Sequence, residues 1–190
     1  MGWFGPLVFA VIGVYWFWKN RSQTINDAKN SENKSIEKSN PDMYEGLSMG
    51  KLLEAVIKNI GGHINLCKDD KEQLHIIYQG EHFTIIYSDD SSIINIYDVA
   101  WYSAELNDIE NLSLVRQAVN ACNRENSSTV LYTMEKEENS VNVHTRQSIV
   151  FGSFIPNVDE YLRSRFEDSF RQHHNFYRIM ESIRQEQYTK

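Results

Sequence analysis

Beyond residue 47 two hydrophobic periods alternate along the chain, one close to 3.6 residues and one of two. Met49, Leu52, Leu53, Val56, Ile57 and Ile60 recur at helical spacing behind Ser48, a suitable N-cap, and Gly61 stands where a helix closes. Four runs with β character follow, "HINLC", "LHIIYQ", "HFTIIYS" and "IINIYDVAWY", separated by "KDDKE", "GE" and "SDDSS". Leu112, Val115, Ala118, Val119 and Cys122 then mark one stripe of a second helix, with Asn111 as its cap. "TVLYTM" and "SVNVHT" flank the polar turn "EKEENS", and "SIVFGSFI" extends the last strand before Pro156 opens a final helix. That helix carries Val158, Leu162, Phe166, Phe170, His173, Tyr177 and Met180 on one side. The pattern predicts an α+β domain, α-β-β-β-β-α-β-β-α, with an antiparallel sheet and helices packed on one face.

The middle hairpin allows a register to be written. A turn at Gly80-Glu81 pairs Gln79 with His82, Ile77 with Thr84 and His75 with Ile86. Leu74, Ile76, Tyr78, Phe83, Ile85 and Tyr87 then share the core side, while His75, Gln79, His82 and Thr84 share the other with Ile77 and Ile86. Apolar groups on an uncovered sheet face mark an interaction surface, so Ile77, Ile86, His75 and Thr84 are the candidate interface.

Ahead of this domain, "WFGPLVFAVIGVYWFW" from Trp3 to Trp18 is apolar throughout and is followed by Lys19 and Arg21. Sixteen residues of helix cover about 24 Å, and Trp3, Trp16 and Trp18 suit the two interfaces of a bilayer, so residues 1–21 read as a single-pass anchor. A cleavable signal peptide would need a basic start and small residues at its end, and the segment has neither. Lys19 and Arg21 place the following domain on the cytoplasmic side. Residues 22–47, rich in Ser, Asn, Lys and Glu and interrupted by Pro41 and Gly46, read as a flexible polar linker, leaving 48–190 as the folded domain.

Charge narrows the function. Residues 1–47 hold five Lys/Arg and five Asp/Glu, so the net charge of −7 lies entirely in the folded domain, which would repel a phosphate backbone; no nucleic-acid partner is expected. Cys67 and Cys122, the two cysteines, have no metal-binding spacing; a reducing compartment fits them, and a bridge between them is the weaker reading. Cys122 shares the stripe of Val115 and Val119 and reads as core rather than as a nucleophile, and Asn120 and Asn123 suit a helix end turning into a strand. His75 and His82 lie about 13 Å apart in the register above, too far to share an ion, and His173 on its apolar stripe reads as a half-buried packing residue. Asp69-Asp70, Asp89-Asp90, Glu137-Glu138 and Asp159-Glu160 fall at turns or helix starts, where acids are solvated or face a helix dipole. No phosphate-loop, dinucleotide, nucleophile-elbow or zinc-protease motif occurs, and no cofactor or metal is expected.

"GEHFTIIYSDD", "LVRQAVNACNRENSSTVLYTMEKEENSVNVHT" and "VDEYLRSRFEDSFRQ", in this order of elements, resemble the YbjN family, grouped as bacterial sensory transduction regulators with a fold similar to type III secretion chaperones. The resemblance spans roughly residues 48 to 185 and carries no catalytic motif onto this chain. It implies a chaperone-like adaptor acting through protein contacts, with a homodimer through the sheet face as a solution familiar in such folds. Together with the anchor, the expectation is a non-enzymatic regulatory module whose protein partner lies at or in the same membrane. A small-molecule sensor with a cavity under the final helix, and an enzyme with an unfamiliar cleft between sheet and helices, are the alternatives.

Overall fold

The computed structural model describes residues 41–65, 72–125 and 128–188. The expected membrane anchor, with Trp3, Trp16, Trp18, Lys19 and Arg21, lies outside these residues, as do Cys67 and most of the expected linker. Among the described residues no helix is long and apolar enough to cross a membrane.

A 3-10 turn, Pro41–Tyr44, leads into α1 (Met49–Asn59), β1 (His63–Asn65), β2 (Gln73–Tyr78), β3 (Glu81–Ile86), β4 (Ile93–Glu105), α2 (Ile109–Glu125), β5 (Thr129–Glu135), β6 (Ser140–Val150) and α3 (Val158–Tyr188). The six strands form one antiparallel sheet in the order β1-β2-β3-β4-β6-β5. This is the α+β architecture and element order that the periodicity predicts. "SVNVHT" and the first three residues of "SIVFGSFI" belong to the single strand β6, which ends at Val150 and is long enough to pair with β4 along one edge and β5 along the other.

Local signals set the element ends. Gly61, at φ +85°, follows α1 in a Schellman closure: Gly62 N–H donates to Ile57 O at 2.8 Å and Gly61 N–H to Lys58 O at 3.1 Å. The start of α2 differs from the sequence expectation. Asp108, not Asn111, is its cap, because Asp108 Oδ1 accepts the N–H of Asn111 at 3.0 Å. At the other end Asn123 clasps β5: its side chain donates to Val130 O and accepts Val130 N–H, both at 2.8 Å.

The folded unit also reaches back into the expected linker. Tyr44 is 2% exposed within the core, and its hydroxyl donates to Asp159 Oδ1 at 2.7 Å at the start of α3. Asn59, at the end of α1, donates to Asp159 Oδ2 at 3.0 Å, so one carboxylate ties three segments. A lone aromatic in a polar stretch has no periodic neighbours to advertise it, which is why the pattern ends the linker at least four residues too late.

All three helices cover the same sheet face, over two separate hydrophobic cores. Leu52, Leu53, Val56 and Ile57 of α1 pack with Leu74, Ile76, Phe83, Ile85, Ile94 and Ile96 under Leu162 and Phe166 of α3. Val115, Ala118, Val119 and Cys122 of α2 pack with Val130, Val141 and Val143 under Phe176 and Met180 of α3. Cys122 is fully buried there, a core residue as its stripe implies. Only β4, β6 and α3 run through both cores.

Candidate functional site

The face away from the helices is the surface that the hairpin analysis singles out, but its register differs. Gln79 and Gly80, at φ +50° and +84°, form the two-residue turn, so Tyr78 pairs with Glu81, Ile77 with His82 and His75 with Thr84. Two successive positive φ angles give the turn whose twist matches paired strands, and glycine supplies the second of them. The expected turn at Gly80-Glu81 would have placed glycine at the first central position instead, as a type II′ turn does. Moving the turn back by one residue changes every partner yet preserves the parity, so each side chain keeps its face.

The correction brings His75 and Thr84 into direct contact, His75 Nδ1 to Thr84 Oγ1 at 3.1 Å, with Gln73 Nε2 3.0 Å from His75 Nε2. It separates Ile77 from Ile86, because the partner of Ile77 is His82, four residues from Ile86. His82 and His75 are now offset by two residues, about 7 Å along the strands rather than 13 Å. Among the described residues no cluster of three or more metal-ligating side chains forms.

Across this face a polar row crosses all six strands: Asn65, His75, Thr84, Tyr97, Arg146 and Thr129 are successive cross-strand partners. Apolar groups flank it. On one side stand Ile86, 41% exposed, and the directly paired Ile93 and Val150, 53% and 48% exposed. On the other stand Ile77, His82 and Val99, the last 46% exposed. The sequence pattern identified Ile77 and Ile86; β4 and β6 supply the larger share.

A second constellation lies inside, between the two cores. Asp98 of β4, Thr145 and Gln147 of β6, and Ser169, Gln172 and His173 of α3 are all buried. His173 Nε2 lies 2.8 Å from Asp98 Oδ2, and the Trp101 ring stacks on the imidazole with centroids 4.3 Å apart. The two charged-type groups touch without linear hydrogen-bond alignment, and neither Asp98 oxygen meets an aligned donor among the described residues. Trp101 Nε1 donates to Thr145 Oγ1 at 3.1 Å, and Gln147 Nε2 donates to Arg165 O at 2.8 Å and Ser169 Oγ at 3.0 Å. His173 is thus fully buried against Asp98 and not the half-buried packing residue its stripe suggests. Asp98 was legible in principle, since it continues the inward positions of Ile94 and Ile96.

The seam forms where β4 bulges between Asp98 and Tyr102, with Ala100 at φ +54°. His144 supports the bulge from the open side: Ala100 N–H donates to Nδ1 at 3.0 Å, so Nε2 carries the proton toward Thr133 Oγ1 at 2.8 Å. Burial lowers the His144 pKa, and the nearby Glu135 and Asp98 carboxylates oppose that shift. Asp98 and His173 are a carboxylate and an imidazole in contact, the pairing that general bases use, but at 1% and 4% exposure they are sealed from any substrate. Their geometry joins α3 to the bulge.

Fold and surface together define an α+β domain with one sheet face left open. The chain matches no family model, and no curated protein matches it. Its structure is similar to that of YbjN from E. coli, at 13% identity and a TM-score of 0.43, covering 72% of this chain and 92% of that one. An uncharacterized protein from Methanothermobacter thermautotrophicus is similar at 15% identity and a TM-score of 0.48, covering 70% and 96%.

Proposed function

We propose that this chain is a membrane-anchored, non-enzymatic adaptor: the segment from Trp3 to Trp18 spans the bilayer, Lys19 and Arg21 keep the domain cytoplasmic, and the open sheet face engages a protein in the same membrane. The observation that carries the reading is the one-sided helix layer, which leaves Ile86, Ile93, Val99 and Val150 exposed on a single face. Four large aliphatic side chains on one sheet surface are costly to leave in water, at about 25 cal/mol per Å2 of apolar area, and a partner that covers them recovers that free energy.

The test is photo-crosslinking in native membranes from positions on the open face and, for comparison, on exposed positions of α2, with a C-terminal topology reporter. The adaptor reading expects one reproducible protein partner and a cytoplasmic reporter signal. Repeated failure to capture any specific protein from either surface overturns it.

A further inference from the structure

The middle of the open face carries a cation, Arg146, although the chain as a whole is acidic. Four of the six histidines, His63, His75, His82 and His144, stand on it with Arg146. Among the described residues of β1, β2 and β3, along β4 as far as Val99, and from Arg146 to Val150, no Asp or Glu faces this way, although the chain carries a net charge of −7. Glu81 pairs with the core-facing Tyr78 and so belongs to the helix side, and Asp98 is buried beneath the sheet. The remaining strand acids, Glu105 and Glu135, stand toward the far end of the face opposite Ser140, and Glu135 accepts a hydrogen bond from Asn142, four residues or about 13 Å along β6 from Arg146. Among the described residues the other carboxylates sit on helices and turns.

Resting on the adaptor reading, we infer that this face binds an acidic amphipathic segment of another protein, with a carboxylate over the Tyr97–Arg146 row and apolar residues against the groups on either side. Arg146 is exposed and central, directly paired with Tyr97 and Thr129, and can grip a carboxylate in a two-pronged contact. The apolar groups bracket it: Ile93 and Val99 lie six residues apart on β4, about 20 Å, which an amphipathic helix spans in roughly 13 residues. A second copy fits less well, because a two-fold face-to-face dimer centred on this row would bring the Arg146 of one copy against that of the other, like charge on like.

A photo-crosslinking amino acid at Ile93 in the full-length chain, in membranes, tests this by sequencing the crosslinked peptide. The inference expects a peptide from a different protein that combines Asp or Glu with apolar residues. Arg146→Glu should cut the yield at least about tenfold, Arg146→Lys, which keeps the charge but loses the two-pronged contact, should cut it by less, and added salt should weaken capture. Arg146 is exposed, so unchanged melting of the variants excludes misfolding as the cause. A basic or uncharged peptide, a second copy, the chain's own N-terminal segment or lipid at this position overturns the inference. A basic or uncharged peptide from another protein overturns it while leaving the adaptor reading intact, whereas a protein captured only from α2, or no protein from either surface, overturns both.

Discussion

His173 Nε2 rests 2.8 Å from Asp98 Oδ2, both side chains almost wholly excluded from solvent, at the level where one hydrophobic core ends and the other begins. A carboxylate in such a place is tolerable only beside its imidazole, since an uncompensated buried charge is far more costly than the pair. The contact therefore specifies how α3 sits on the sheet more than it adds net stability.

Removing one partner should be worse than removing both. His173→Leu alone, which strands the Asp98 carboxylate, is expected to cost about 3–5 kcal/mol, whereas the double variant Asp98→Leu with His173→Leu should recover much of that loss. Urea unfolding of the four members of this cycle measures it; additive losses would show that the two residues act independently.

Tyr44 gives a second handle on stability. Its burial and its hydrogen bond to Asp159 hold the phenol well above the usual tyrosine range, as a hydroxyl kept neutral beside a carboxylate must be. Tyr44→Phe keeps the ring and loses the bond to a charged acceptor, about 2 kcal/mol. Tyr44→Ala also leaves a cavity, about 3–5 kcal/mol. Denaturation midpoints of the full chain should fall in that order, and equal midpoints would detach this segment from the fold.

Acid should weaken the bulge through His144. Its folded pKa is lowered by burial below the ordinary value near 6.5, so the unfolded chain binds the proton more readily. The stability this neutral imidazole contributes is intact above about pH 6.5 and declines as pH falls toward the folded pKa, because protonating Nδ1 removes the acceptor for Ala100 N–H. Between about pH 7.5 and 5.5 the urea midpoint of the natural chain should drop more than that of His144→Gln, which does not titrate. Parallel pH profiles would remove His144 from the account.

The hairpin turn is open to improvement. Gln79 adopts φ +50° at a position where asparagine is better suited, so Gln79→Asn should raise stability by about 0.5 kcal/mol. Gly80→Ala, at φ +84° with nothing within 4 Å of the added methyl, should cost about 1–2 kcal/mol through backbone conformation alone. Thermal melts of both variants distinguish this turn from one at Gly80-Glu81, for which Gln79 would be indifferent.

The fold was legible where side chains repeat. Periods of two and 3.6 identified the elements from α1 to α3 in order, and parity alone assigned Ile76 and Phe83 inward and His75 and Thr84 outward, even with the turn misplaced by a residue. What escaped was set by single residues whose meaning is tertiary. The alternation along β4 turns Asp98 inward but says nothing of the His173 it meets, and nothing local distinguishes the Tyr44 that enters the core from one in a solvated linker. The candidate face was half visible for the same reason. Ile77 and Ile86 follow from one hairpin, whereas the pairing of Ile93 with Val150 requires knowing that β4 and β6 are neighbours 57 residues apart in the chain.

The amide clasp between Asn123 and Val130 occupies the backbone groups on the outer edge of β5, the last strand of the described sheet. Any stray extended chain seeking to add there must first evict a side chain that already imitates it. A single asparagine at a helix end thus acts as a stopper against runaway polymerisation, which would matter most for molecules crowded along a two-dimensional surface.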